Sequence, residues 1–340
     1  VTTTLSGRRV TPTARLITPA DADHDVWLTA RRGGIGSSDI AAVLGLSKYG
    51  NALSVYHDKR GSLPLEGDDS EPALWGRAIE DTVAREWCRR NRSFGRRVGL
   101  VAHTERPWQR CTLDRRIVEC PLSAEREACA LEIKCRSAFK AGQWRAGIPD
   151  DVLAQVLWQA DVTGFDHVHA ACLIGGNDYR QFVIRVADYE ATIDDLRAAG
   201  AHLWEQIQAG RPPVLDRDAD PDPLIDLYRR LHPDRQGLVR IDRDGDAQNA
   251  LGDYCEAAAD ESAAKKAKKQ AHARLLGHLG GAYMAVLGDK PAYSIEQSSK
   301  STPDLARLRE EFPEAYAACV VEKTHDRLSI PDAVRKEYAR

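Results

Sequence analysis

Between Ala130 and Arg136 the chain reads Ala-Leu-Glu-Ile-Lys-Cys-Arg, with apolar and charged side chains in alternation. That period belongs to a β-strand, in which residues i and i+2 project from one face. Leu131 and Ile133 then enter a core together, and Glu132 and Lys134 share the other face of a half-buried strand. Trp108 to Val118 reads as an earlier strand with Asp114 near its end. The turn-like stretch Pro121 to Glu127 lets the two strands pair as a hairpin. Asp114, Glu132 and Lys134 meet at one point in that arrangement. Glu132 and Lys134 alone would read as a surface ion pair; Asp114 makes them a candidate site.

Two carboxylates suit a hard divalent cation such as Mg2+, or Mn2+, held through oxygen with positions left for water and phosphate. Such an ion lowers the pKa of bound water and offsets charge on a phosphate under attack. A lysine beside it can hold or deprotonate that water.

The remaining chain supports a full-sized domain with an appendage. Residues 1–25 read as a loose polar arm. Arg31-Arg-Gly-Gly-Ile-Gly-Ser-Ser-Asp39 precedes apolar Ile40, Val43 and Leu44 at helical spacing, with Ser37 or Ser38 as N-cap. Glycines before a helix N-terminus, with an arginine upstream, suit an anion; an ordinary capped helix is the plainer reading. A helix is expected over 72–90, buried along Ala78 or Ile79, Val83 and Trp87, with Glu80 beside that stripe. Strands follow over 97–103, 108–118 and 128–136. A helix from Asp150 carries Gln155 among apolar residues and ends at Gly164. A hairpin, His167 to Ile174 and Tyr179 to Val186, turns at Gly175-Gly-Asn-Asp178. Ile193, Leu196, Gly200, Leu203 and Ile207 mark the buried face of a further helix ended by Arg211-Pro-Pro213. After an acidic, proline-bearing boundary at 216–223, the spacing predicts a long helix over 246–278, a small hairpin and another helix after Pro303. The long helix carries Lys265, Lys266, Lys268 and Lys269, a solvated face or a contact for DNA phosphates.

A formal net charge of -3 does not announce a nucleic-acid binder, yet a local basic channel can coexist with acidic metal ligands. No apolar run suits a membrane span and no signal-peptide pattern is seen. The eight cysteines include no C-x-x-C pair and read as reduced, buried thiols of a cytoplasmic protein. An iron–sulfur cluster is not expected, because the cysteines are not grouped as it would need.

Four stretches in order resemble the lambda exonuclease and YqaJ viral-recombinase group of nucleases, within the superfamily named for its Pro-Asp…Asp/Glu-x-Lys pattern. They are Trp27…Arg31…Gly-Ile-Gly-Ser-Ser-Asp39; Trp75-Gly-Arg-Ala-Ile-Glu80; Thr112-Leu-Asp114 with Leu131-Glu-Ile-Lys134; and Ala154-Gln-Val156 with Val162-Thr-Gly164. Leu113 stands in place of the proline, and Arg115 where glycine often follows the aspartate. The resemblance covers the chain to about residue 213. It implies an α/β (α+β) fold of the restriction-endonuclease kind, a central mixed sheet flanked by helices. The nuclease domain would span 26–215 and a mainly helical extension 216–340. Asp114, Glu132 and the Ile133 carbonyl would bind the catalytic metal, with Glu80 at a second. Lys134 would act on the attacking water with Gln155 beside it, and Arg31, Ser38 and Thr112 would grip a 5′-phosphate. The implied activity is exonucleolytic degradation of duplex DNA from 5′ ends in phage-type recombination. The implied partners are a single-strand annealing protein and further copies of the chain, as a trimer. An endonuclease of a restriction or defence system fits the same residues. A catalytically dead DNA-binding module fits less well, since a decayed site sheds buried charge.

Overall fold

Apolar residues recurring at two and at three-to-four residue steps dictate most of the elements. The computed structural model describes residues 7–65, 70–122, 127–214, 220–321 and 327–338. Residues 1–6 of the expected arm, 123–126 of the expected turn and 216–219 of the expected boundary lie outside the described residues. The chain divides into two compact units, 1–235 and 236–340.

In chain order the first unit holds β1 (Ala14–Thr18), α1 (His24–Arg32), α2 (Ile40–Val43), α3 (Ala52–Lys59), α4 (Glu71–Asn91), β2 (Gly95–Arg96), β3 (Leu100–His103), β4 (Arg110–Thr112), β5 (Arg115–Ile117) and β6 (Cys129–Arg136). It continues with α5 (Asp150–Thr163), β7 (His167–Ile174), β8 (Asp178–Arg185), α6 (Glu190–Ala209) and α7 (Asp222–Leu231). A five-stranded sheet runs β2-β5-β6-β7-β8, and a three-stranded sheet runs β1-β3-β4. Only β6 and β7 pair in parallel within the larger sheet, which is therefore mixed.

The central position of β6 gives it a buried surface on both sides. Cys129, Leu131 and Ile133 pack with Val83, Ala84 and Trp87 of α4. Ala130 faces the larger core that contains Val156, Leu157 and Ala160 of α5. Glu132 is 2% exposed, so the strand is not half-buried as its alternation suggests: helix α5 covers the charged face. Both helices end as their sequences dictate. Gly164 takes φ 72° and returns its N–H to Ala160 O at 2.8 Å, a conformation open to glycine. In α6 the buried positions are Ile193, Leu196, Gly200, Leu203 and Ile207; the cap is Gly210, one residue before Arg211.

Three local expectations change. The arm contains β1, because Ala14 and Thr18 are buried and β1 pairs antiparallel with β3. The stretch 108–118 is two strands in different sheets, parted at Leu113 and Asp114. Continuing the register Arg115↔Leu131 would set residue 113 opposite Ile133; instead the Asp114 carboxylate accepts the Ile133 N–H at 2.7 Å. A side chain thus replaces the backbone acceptor and frees the strand to leave the sheet. Finally, α2 is a single turn whose N-cap is Asp39, without a side-chain cap bond. Ser37 and Ser38 are not its N-cap.

The second unit is built on α8 (Gly245–Leu279), whose N-cap Asp244 accepts from Ala247 N at 3.0 Å. The hairpin β9 (Met284–Leu287) and β10 (Lys290–Ser294) follows, then α9 (Leu305–Glu311), α10 (Pro313–Cys319) and α11 (Asp332–Tyr338). The last helix is additional to the elements that the spacing predicts. Lys265, Lys266, Lys268 and Lys269 are all exposed, and Lys265 pairs with Glu261 at 2.6 Å. Among the described residues no helix is long and apolar enough to cross a membrane.

Candidate active site

Glu132 and Lys134 project from β6 toward α5, where Gln155 and Gln159 stand one helical turn apart and so on one face. Lys134 Nζ lies 2.5 Å from Glu132 Oε1 and 2.7 Å from Gln155 Oε1. Gln155 Nε2 donates to Glu132 Oε1 at 2.7 Å, and Gln159 Nε2 to Glu132 Oε2 at 2.7 Å. Gln159 also reaches the Thr112 carbonyl at 3.2 Å. Both oxygens of a buried carboxylate are therefore held by hydrogen bonds, which offsets the cost of taking it out of water. Gln159 was not singled out in the sequence; its four-residue spacing from Gln155 was the available signal.

Asp114 sits at the break between β4 and β5, tied to β6 by the Ile133 N–H. The expected ligand at Ile133 was its carbonyl; the bond present here uses its N–H. Burial, then the Glu132 charge and less so that of Glu80, push the Asp114 carboxyl well above the ordinary carboxylate range. Lys134 and the Ile133 N–H pull the other way without prevailing. The charges of Glu132 and Glu80 oppose that of Asp114, a repulsion that a hard divalent cation would relieve. Asp114 and Glu132 fit such an ion on this ground.

Glu80, on α4, is engaged by a group that sequence reasoning read only as a departure. Buried Arg115 donates from Nη1 to Glu80 Oε1 at 2.7 Å and to the Asp114 carbonyl at 2.5 Å, and from Nη2 to Asp81 Oδ1 at 2.9 Å. A planar guanidinium can hold such divergent acceptors at once. Arg115 thereby fastens α4 to the strand break that carries Asp114.

Arg31, at the end of α1, donates from Nη2 to Ser38 Oγ at 2.8 Å and lies 3.3 Å from Asp39 Oδ1. Its guanidinium carbon is 4.8 Å from the Trp27 ring centre. Asp39 also meets Lys59 at 2.7 Å and accepts from Gly36 N at 2.8 Å. Burial opposes its charge, but Lys59 and Arg31 hold the Asp39 carboxyl below its ordinary value. Arg31, Ser38, Thr112, Glu80, Asp114 and Gln155 all line one open cleft of about 660 Å3. Glu132, Ile133 and Lys134 adjoin it through Gln155 and Asp114. The four lysines of α8 belong to the other unit.

A mixed sheet flanked by helices, with an acidic pair and a lysine around one strand, is the class of protein that the resemblance implies. Residues 26–166 match the model of the YqaJ-like viral recombinase domain. The chain is 26% identical over 318 residues to the uncharacterized protein YqaJ of Bacillus subtilis (strain 168), covering 91% of this chain and 94% of that protein. Among solved structures, an alkaline exonuclease from Laribacter hongkongensis is 17% identical, with a TM-score of 0.43 over 54% of this chain and 94% of that one.

Proposed function

We propose that the protein is a metal-dependent exonuclease that degrades linear duplex DNA from 5′-phosphorylated ends in phage-type recombination. The observation that carries this reading is the single cleft in which Asp114, Glu80 and Gln155 stand with Arg31 and Ser38. An acid cluster serves phosphodiester hydrolysis; an arginine and a hydroxyl beside it serve a terminal phosphate. The match to a viral recombinase domain supports the setting.

Asp114 and Glu132 are the residues to hold Mg2+, or Mn2+, with the Ile133 carbonyl and with Glu80 at a second ion. When bound, the ion supplies a water of lowered pKa and charge to set against the phosphate. The protein's own part is positioning. Gln155 and Gln159 fix Glu132, and Gln155 aims Lys134, which holds or deprotonates the nucleophilic water. Arg31, with Ser38 and Thr112, receives the 5′-phosphate; its pairing with Asp39 keeps the guanidinium pointed into the cleft. A single-strand annealing protein and further copies of this chain, as a trimer, complete the proposed assembly.

End-labelled linear duplexes carrying 5′-phosphate or 5′-hydroxyl, and closed circles, test this with and without Mg2+. The phosphorylated duplex is expected to be degraded fastest, only with the metal, and circles to survive. A charge-assisted contact is worth on the order of 1.5–3 kcal/mol, so the preference should be roughly ten- to a hundredfold. Arg31→Ala should lose most of it. Asp114→Asn and Glu132→Gln should each abolish cleavage while the folded protein still binds DNA. Equal rates at both ends with cleavage of circles would overturn the end-binding role and make the protein an endonuclease.

A further inference from the structure

The face of the large sheet opposite Glu132 carries a second cluster of reactive side chains. His167 and His169 are two apart on β7, so both imidazoles project to the α4 side, where His169 meets Trp87 with ring centres 4.8 Å apart. Cys129 opens β6 on the same face, and the parallel register Ala130↔Val168, carried one residue back, sets it beside His167. Cys120 arrives from the connection between β5 and β6, where its N–H bonds to Glu127 O at 3.0 Å. Cys120 and Cys129 are 0% exposed, His167 4% and His169 3%. One donor atom from each of the four lies within 4.8 Å of all the others. Cys120 Sγ is 3.0 Å from His167 Nε2 and 3.3 Å from His169 Nε2.

We propose that Cys120, Cys129, His167 and His169 form a structural zinc site. Two sulfurs and two imidazole nitrogens make a closed tetrahedral donor set for Zn2+. With metal–ligand distances of about 2.0–2.3 Å, the edges of that tetrahedron are roughly 3.3–3.8 Å, so the side chains need only small adjustments. Asp166 supports the assignment: its Oδ1 lies 2.5 Å from His167 Nδ1. A carboxylate on one ring nitrogen fixes the tautomer and leaves Nε2, the atom facing Cys120, free for a metal. A two-iron cluster can use the same residue types, but it puts cysteines on one iron and histidines on the other. The close approach of Cys120 to both imidazoles suits one ion instead. With four protein ligands and no exposed position, the ion does not enter hydrolysis. It clips the connection before β6 to β7, three residues from Glu132, and so braces the strand that carries the acid and the lysine. The zinc is distinct from the Mg2+ of the cleft, and its existence does not depend on the proposed nuclease activity.

The full chain, expressed without a histidine tag in zinc-supplemented medium and dialysed against a chelator that strips Mg2+, is analysed by elemental mass spectrometry. One zinc per chain is expected, released on titration with a mercurial and read by a chromogenic chelator. Cobalt(II) replacement should produce a thiolate charge-transfer band and the intense visible bands of tetrahedral cobalt. Asp114→Asn should keep both the zinc and the cobalt spectrum, whereas Cys129→Ser and His169→Ala should lose them. The wild-type measurements decide the matter even where those two variants fail to fold. Zinc well below one per chain, together with no cobalt–thiolate band, would overturn the site; so would iron with a visible sulfide spectrum.

Discussion

Asp114 combines partial burial, two neighbouring acids and a backbone donor, and its raised carboxyl makes its negative charge unfavourable to the metal-free fold. An acid whose pKa is raised on folding stabilises below its unfolded value, and that stability is lost as pH rises through the folded value. Asp114→Asn keeps an oxygen for the Ile133 N–H but removes the charge. In chelator at neutral pH the variant should therefore be more stable than wild type, by on the order of 1 kcal/mol or about 2–4 °C. The gain should vanish below the ordinary carboxylate range. Mg2+ should raise the melting temperature of the wild type and not of the variant. A variant that melts below wild type in chelator at pH 7 would show that the acid cluster carries no such strain.

The packing of α6 on α5 gives an element-scale test whose sign opposes helix propensity. A Cβ on Gly200 would lie 2.4 Å from Trp158 Cη2 and 2.8 Å from its Cζ3. Trp158 is itself buried, with Nε1 donating to the Arg110 carbonyl at 3.0 Å, so it cannot swing away freely. Gly200→Ala gains about 1 kcal/mol of helix propensity but overpacks the interface at about 1–3 kcal/mol or more. The net expectation is a lower urea midpoint at unchanged slope. A midpoint at or above wild type would mean that the two helices can part at little cost. The same glycine was legible as an interface position because it continues the stripe of Ile193, Leu196, Leu203 and Ile207. Its partner was not, since nothing local in residues 190–209 names Trp158.

For the whole molecule, the division at 235/236 puts α7 in the first unit. Leu227 of α7 belongs to the main core and is 1% exposed. A fragment ending at Arg235 should unfold in one transition. One ending at Pro213 should be less stable by at least about 2 kcal/mol, the lower end for losing a buried leucine. Equal melting of the two fragments would return the boundary to the acidic stretch before α7. In the second unit, the proposed role of Lys265, Lys266, Lys268 and Lys269 is phosphate contact. Neutralising all four should flatten the dependence of log affinity for DNA on log salt by about 3–4. An unchanged slope would leave the block as a solvated face, in keeping with the Lys265–Glu261 pair.

The amino-acid order alone settled what depends on neighbours along the chain. Period-two and period-3.6 patterns state which face of β6 and α6 is apolar. Glycines at 164 and 175–176 mark where a helix and a hairpin turn, and the two-residue step places Glu132 and Lys134 together. Tertiary structure decided what depends on register between strands far apart in sequence. It sent β4 and β5 into different sheets at Asp114, covered Glu132 with α5, and drew β1 out of an apparently shapeless arm. It turned Arg115 from an odd substitution into the clamp on Glu80 and Asp81. It also gathered Cys120, Cys129, His167 and His169, whose spacing shows only a His-x-His step on one strand. The physical reason is common to all of these. Alternation fixes the direction of a side chain relative to its own backbone, whereas the partner it meets is set by how whole elements slide and stack to bury the shared core.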